Sequence, residues 1–237
     1  WRTANILSGC VIAILVSLFI FPIKAKQDWR SQLTHAIDNM AEVLAEHLKA
    51  PANHELDFRA RLEAAMKAVL TQKKLFFSLE WESQTLKKHK VLLSQLANKQ
   101  VRLITLLELL PLTRWQEEDK DAYLQINAVA SELAFYLQQL AEFVAGKAQQ
   151  LPTLPECLDQ ELQHRLQLAL VAATQASTAD PVTAVNDQVP QGFALTGYSW
   201  LIYQLAIAVE ALYKDIAIID IAYNKRPASQ ITPNKTA

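Results

Sequence analysis

The sequence predicts an all-α protein, with one N-terminal transmembrane helix followed by a cytosolic bundle of long antiparallel helices. Three observations favour this fold class. An uncharged run of eighteen residues, Ala4–Phe21, stands near the start, apolar residues recur at steps of three and four afterwards, and only four glycines occur in 237 residues. Few glycines and abundant Leu, Ala, Gln, Lys and Glu are typical of long helices with few tight turns.

The opening apolar run has the length of a membrane span. As a helix it would measure roughly 27 Å, close to the hydrocarbon core of about 30 Å. A signal peptide is disfavoured, because the run passes into Phe-Pro-Ile-Lys-Ala-Lys without a small-residue cleavage site. A buried core helix is the other alternative, but so long an uncharged run is unusual in a core of this size. We therefore predict a transmembrane helix over residues 1–23.

Small residues form a row along this predicted helix. Gly9, Ala13 and Ser17 are spaced at i, i+4 and i+8. Such a row allows a second helix to approach closely in lipid, although small residues are also common in spanning helices without that role. If the row has a packing role, its partners are other transmembrane helices of the same protein or complex, or a second copy of the chain.

The cations that flank the span predict its orientation. Lys24, Lys26 and Arg30 follow it, whereas Arg2 alone precedes it. Lys and Arg are enriched on the cytoplasmic side of membrane helices, so the C-terminal domain is expected in the cytoplasm. Pro22 is expected to end or kink the helix at the membrane exit.

Residues 24–224 are predicted to form the helical bundle domain, and residues 225–237 a disordered tail. The predicted helices cover about residues 24–48, 55–77, 83–110, 117–149, 156–173 and 193–222. A bend is expected at 78–82, around Glu80-Trp81-Glu82, and a loop at 174–192. The segment 117–149 carries a seven-residue apolar repeat, which is typical of left-handed helix-on-helix packing. Charged residues within 193–222 disfavour a second span.

The sequence provides no recognisable catalytic, cofactor-binding or metal site. Glu161 and His164 form one Glu-x-x-His motif, but a di-metal bundle site needs two, and His164 is expected at the surface. Zinc-ligand spacings and glycine-rich phosphate loops are missing. With a net charge of -1, the chain has no basic excess to suggest a nucleic-acid partner. We therefore expect no enzymatic activity.

One local cluster of positive charge stands out. Residues 87–90 read Lys-Lys-His-Lys. The favoured interpretation is a solvated helix face, and the alternative is contact with anionic lipid.

The opening of the chain resembles a known membrane family. The resemblance is carried by Trp1-Arg2-Thr3-Ala4-Asn5, Gly9 with the apolar run after it, the stretch from Leu18 to Lys26 that contains Phe21-Pro22, and Trp29-Arg30. These residues resemble the last helix of a membrane half in the fusaric acid resistance protein-like family, which is related to the aromatic acid exporters of bacterial inner membranes. The remainder is similar in style to the cytosolic helical domain that follows such a membrane half.

The resemblance implies an efflux transporter for small aromatic acids in the bacterial inner (plasma) membrane. This chain would be its C-terminal portion, with a soluble domain for assembly or regulation and a translocation path that lies mainly upstream. Arg2, Gly9 and Pro22 match the family pattern and would have structural roles. The alternative is a single-pass, membrane-anchored helical scaffold of an envelope complex.

Overall fold

The structure is a computed structural model that describes residues 1–20, 22–49, 55–82, 84–112, 120–152, 164, 171 and 191–224. Within these ranges, the side chains of residues 14–20, 22–24, 49, 55–56, 81, 85, 120–125, 191–196 and 221–224 lie outside the description. All regular secondary structure in the described part is helical, so the all-α prediction is confirmed there.

Seven α-helices and one 3-10 turn are delimited within the described residues. They are α1 (Arg2–Ile20), α2 (Pro22–Lys49), α3 (Glu55–Glu82), α4 (Gln84–Lys88), α5 (Lys90–Leu109), the 3-10 turn (Leu110–Leu112), α6 (Lys120–Ala145) and α7 (Gln191–Asn224). The predicted tail, most of the predicted helix 156–173 and most of the predicted loop 174–192 lie outside the described residues.

Helices α2 and α3 form an antiparallel pair. Early in α3, Arg61 forms ion pairs with Glu42 and Glu46, the latter at 3.0 Å. Farther along, the Gln72 side-chain amide donates to the backbone oxygen of Gln32 at 3.3 Å. Because late residues of α2 meet early residues of α3, the two helices run in opposite directions.

Helix α5 is antiparallel to both α3 and α7. Lys90, at the start of α5, pairs with Glu80 near the end of α3 at 2.6 Å. Lys99 pairs with Asp215 of α7 at 2.7 Å. The Arg102 guanidinium lies further along α5 and donates to Gln204, earlier in α7, at 3.0 Å.

Helices α6 and α7 run parallel, so the prediction of antiparallel helices is wrong for this pair. The Tyr198 hydroxyl donates to the Asn127 side-chain oxygen at 2.7 Å, near the starts of α7 and α6. Near the ends of the two helices, Val144 and Ile219 line one cavity. Because residue order matches in both, α7 begins at the same end of the bundle as α6.

These pairings define a proximal end of the bundle, the end at which α2 begins. Helix α5 also begins there, and α3, α6 and α7 end there. The backbone N–H of Lys26 donates to the Glu82 carboxylate at 2.9 Å, which ties the first turns of α2 to the end of α3. Helix α4 follows Glu82 by two residues and therefore lies at the same end.

The core confirms most of the predicted apolar faces. Buried residues of α2, α4, α5, α6 and α7 recur at the expected steps. They include Trp29, Leu33, Ala36, Met40, Leu44, Leu86, Leu93, Leu96, Leu103, Ile104, Leu107, Ile126, Val129, Leu133, Leu140, Tyr198, Leu201, Leu205, Leu212 and Ile216. In the predicted helix 55–77, Val69 is fully buried, whereas the adjacent Leu70 is 51% exposed.

The predicted bend at 78–82 is wrong. Helix α3 continues to Glu82. The buried face of α3 continues through the predicted bend at Leu79. A described turn follows at His89, whose backbone N–H donates to the oxygen of Leu86 at 3.0 Å and which separates α4 from α5.

Candidate functional site

Helix α1 differs from every other long helix in what its side chains meet. Ile6, Leu7, Val11 and Ile12 are between 51% and 66% exposed. Residues 1–13 are all exposed, whereas the apolar side chains of α2 are buried from Ala25 onward. Within the described residues α1 makes more than marginal contact with α2 alone. A helix that is apolar on all sides normally has a lipid or protein environment around it.

The transmembrane assignment remains a prediction. In the part of the chain that the structure describes, no helix meets the combined requirement of length and apolar composition for crossing a membrane. The second half of α1, from residue 14 onward, has no described side chains.

Gly9 and Ala13 of the small-residue row are placed on the exposed surface of α1. A Cβ added at Gly9 would meet nothing within 4 Å. The side chain of Ser17 lies outside the described residues. A neighbouring polar group is satisfied within the helix, because the Ser8 hydroxyl donates to the Ala4 oxygen at 2.7 Å. This surface is therefore accessible to a second helix.

The flanking cations fall into different environments. Arg2 is exposed, and the side chains of Pro22 and Lys24 lie outside the described residues, although Pro22 is the first residue of α2. Lys26 is half-buried, and its backbone N–H binds Glu82. Because Glu82 places a negative charge near the first turn of α2, it interacts favourably with that helix dipole.

Arg30 binds the C-terminus of α6. Its Nε donates to the backbone oxygen of Val144, and its Nη2 donates to that of Phe143 at 3.4 Å. These carbonyls belong to the last turn of α6, where intrahelical partners run out. A cation at a helix C-terminus also complements the helix dipole. Arg30 thus links the start of α2 to the end of α6, a role that its sequence position did not indicate.

Gly146 ends α6 three residues before the predicted limit of 149. Its φ is +81°, and the Lys147 N–H donates to the Glu142 oxygen at 2.9 Å while the Gly146 N–H donates to the Phe143 oxygen at 2.9 Å. This is the Schellman arrangement, in which glycine adopts the left-handed conformation after the last helical turn. A Cβ at Gly146 would lie 3.3 Å from Nη2 of Arg30.

A small cavity lies beside this junction. Its volume is about 30 Å³, and it is lined by residues of α2, α6 and α7: Trp29, Arg30, Leu33, Phe143, Val144, Ile216, Ile219 and Asp220. The buried Trp29 Nε1 has no hydrogen-bond acceptor among the described residues. A space of this size holds about one water molecule and excludes an aromatic ring.

Glu80 and Glu82, which lie in the predicted bend, both make contacts at the proximal end. Glu80 pairs with Lys90, and Glu82 binds the Lys26 N–H. The side chain of Trp81 lies outside the described residues.

Metal ligands do not converge in the described residues. No group of three or more His, Cys, Asp or Glu side chains is placed there to hold a metal ion. His164 is helical and exposed, and Glu161 lies outside the described residues.

The strongest polar features of the bundle were not identified from sequence. The buried side-chain amides of Gln72 on α3 and Gln100 on α5 each donate to the side-chain oxygen of the other at 3.0 Å. This pair and the Arg30 cap depend on which helices become neighbours. A glutamine within an apolar stripe was the only local signal for the pair.

Comparison with known proteins identifies the family. Searches of curated proteins and of solved structures found no match. The chain does match the fusaric acid resistance protein family over residues 1–202, which covers α1 and reaches into α7. The chain therefore belongs to the fusaric acid resistance protein family, whose members are membrane proteins of the efflux transporter type.

Proposed function

We propose that this chain supplies the last membrane helix and the cytoplasmic domain of an inner-membrane exporter of small aromatic acids. The observation that carries the proposal is the contrast between α1 and the bundle. Large apolar side chains of α1 are exposed and none of its described side chains enters the core, whereas most apolar side chains described from Ala25 onward pack into one core. A lipid bilayer and neighbouring transmembrane helices provide the environment that such a helix needs.

The proposal assigns assembly or regulation to the bundle rather than transport itself. The described cavity at the proximal end is too small for an aromatic acid. In this proposal the substrate passes through membrane helices outside this chain. The chain itself performs no chemical step in this proposal, and it binds neither a cofactor nor nucleic acid. Its partners are lipid, other transmembrane helices and a second copy of the chain.

The cytoplasmic orientation rests on the cations after α1. Lys24 and Lys26 follow the uncharged run Ala4–Phe21, and Arg2 precedes it. Arg30 contributes less to this charge asymmetry than its position in the sequence suggests, since its guanidinium is bound to the carbonyls of α6.

Transport is tested by accumulation of fusaric acid in cells that express the natural protein carrying this chain. We expect less accumulation than in cells without it. Val11→Lys should abolish this difference, because a charge at the centre of a membrane helix costs about 2.5–3.5 kcal/mol on insertion scales. Val11→Leu is the matched control and should preserve export. Equal accumulation with and without the protein would reject the exporter assignment.

Topology is tested separately by finding the side of the membrane from which the bundle can be labelled. In a background with Cys10→Ser and Cys157→Ser, a cysteine introduced by Lys67→Cys should react with a membrane-impermeant maleimide in inverted membrane vesicles but not in intact cells. Labelling in intact cells would reject a cytoplasmic bundle. An intact mass near 26.6 kDa for the natural protein would instead support the single-pass scaffold.

A further inference from the structure

The proximal end of the bundle presents a small basic surface formed by Lys87 and Lys88 on α4. Both side chains are exposed. Neither forms an ion pair with a carboxylate in the described part of the chain. The two carboxylates nearest in sequence before α4 are engaged elsewhere: Glu80 pairs with Lys90, and Glu82 binds the Lys26 N–H. The α4 lysines therefore leave a local positive excess that the bundle does not neutralise.

The position of this surface is fixed by the fold. Leu86 is 1% exposed and anchors α4 in the core. The turn at His89 then directs the chain into α5. Because the core holds α4 on both sides of the lysines, they form a rigid surface rather than part of a loose loop.

The surface also lies level with the point where α1 joins the bundle. The Lys26 N–H is 2.9 Å from the Glu82 carboxylate, and α4 begins two residues after Glu82. Lys26 is four residues from the start of α2, a distance of roughly 6 Å along a helix. If α1 lies in the bilayer, α4 thus lies at the end of the bundle that is nearest to the headgroups, whose charge acts over a Debye length of roughly 8–10 Å at physiological salt.

We propose that Lys87 and Lys88 bind the headgroups of anionic lipids and hold the proximal end of the bundle against the membrane surface. This inference rests on the proposed membrane location of α1. The cytoplasmic leaflet carries negative charge and attracts basic segments next to a membrane helix. Val91 is 70% exposed one residue after Lys90, which places an apolar side chain next to the same surface.

The test uses the full chain reconstituted in vesicles of phosphatidylcholine, alone or with about 30% phosphatidylglycerol to supply the negative surface potential. A fluorophore is attached through Gln84→Cys, in a background with Cys10→Ser and Cys157→Ser, and a headgroup spin label quenches it. We expect about twofold stronger quenching with the anionic lipid, reduced by added salt as surface electrostatics require. The same fluorophore at Ala60→Cys, at the opposite end of the bundle, should show no such difference.

Charge reversal separates this surface from general electrostatic attraction. Lys87→Glu with Lys88→Glu should remove the extra quenching, whereas Lys67→Glu with Lys74→Glu, on the exposed face of α3, should retain it. Equal effects of the two double variants would overturn the inference, as would equal quenching in both vesicles. Alkaline carbonate extraction distinguishes failure of this inference from failure of the membrane location. If the chain stays in the membrane but shows no lipid-dependent quenching, this inference alone is rejected. If carbonate releases the chain, the membrane location is rejected as well.

Discussion

Two glutamine side chains, Gln72 and Gln100, are fully buried between α3 and α5. Each donates its amide to the side-chain oxygen of the other at 3.0 Å. Since a buried amide is costly without partners, this reciprocal pair favours one register of α3 against α5 over alternatives that would separate the two side chains.

Replacement of one member of the pair should destabilise the bundle. Gln72→Leu leaves the Gln100 amide without its main partner, and we expect a loss of about 1–3 kcal/mol in the free energy of unfolding. Gln72→Leu combined with Gln100→Leu should cost less than the sum of the two single changes. Unfolding followed by circular dichroism measures these values, with the exposed Gln138→Leu as control. Strictly additive losses would show that the pair is not coupled.

His47 gives the bundle a predicted pH dependence. Its ring lies 6.3 Å from that of Phe58 and 6.4 Å from that of Tyr198, between centroids. Desolvation by burial lowers the pKa of His47 below 6.5. The folded state therefore binds fewer protons than the unfolded state between the two pKa values, so stability is full above pH 6.5 and falls as the pH drops toward the folded pKa.

We expect the free energy of unfolding to decrease between about pH 7.5 and pH 5, a window that includes the unfolded pKa of about 6.5. His47→Gln should flatten part of this slope, because the buried group can no longer titrate. His35→Gln changes an exposed histidine of the same helix and should leave the slope as it is. A slope that survives His47→Gln unchanged would contradict the assignment.

At the scale of elements, contacts at the helix ends determine where a helix stops and which helix lies beside it. The apolar stripes alone do not determine either. The backbone of Gly146 ends α6, and Arg30 of α2 binds the carbonyls that this end leaves open. One glycine conformation and one guanidinium therefore fix where α6 stops and which helix begins beside it.

Gly146→Ala should destabilise the bundle by about 1–2 kcal/mol, because a left-handed conformation is unfavourable for residues with a Cβ. Contact with Arg30 adds to this cost, since the new Cβ would lie 3.3 Å from Nη2. Gly197→Ala is a matched control of opposite sign. Gly197 lies inside α7 with nothing within 4 Å of an added Cβ, so alanine should stabilise by about 0.5–1 kcal/mol. Thermal unfolding of both variants checks this, and a stabilising Gly146→Ala would contradict the cap.

The positions of the helices along the chain could be predicted from the sequence better than which helices pack against each other. The last helix was predicted at 193–222 and is observed at Gln191–Asn224, because its buried face repeats at three and four residues without interruption. The α3 boundary was missed because Leu79 is the only one of the described side chains of 78–82 in the buried core, so the apolar repeat is not visible there in the sequence. The parallel arrangement of α6 and α7 and the Arg30 cap could not be predicted, since both depend on which faces meet in three dimensions.

At the scale of the whole molecule, the helices after α1 share one buried core, and the described side chains of α1 lie outside it. The buried core begins at Ala25, so α1 contributes no described side chain to it. Substitutions in α1 can therefore change its contacts with other helices without changing the stability of the bundle. The small-residue row can be tested in this way.

Gly9→Leu should weaken assembly of the natural membrane protein without destabilising the bundle. Nothing lies within 4 Å of a Cβ at Gly9, so leucine has room within this chain, and any clash must come from another helix. Size-exclusion chromatography with light scattering measures assembly in mild detergent, and circular dichroism measures bundle unfolding. Val11→Leu, about 200° around the helix from Gly9, is the control and should leave assembly unchanged. If Gly9→Leu and Val11→Leu assemble alike, the row of Gly9, Ala13 and Ser17 has no packing role, and the contacts that join this chain to its membrane partners lie on another face of α1.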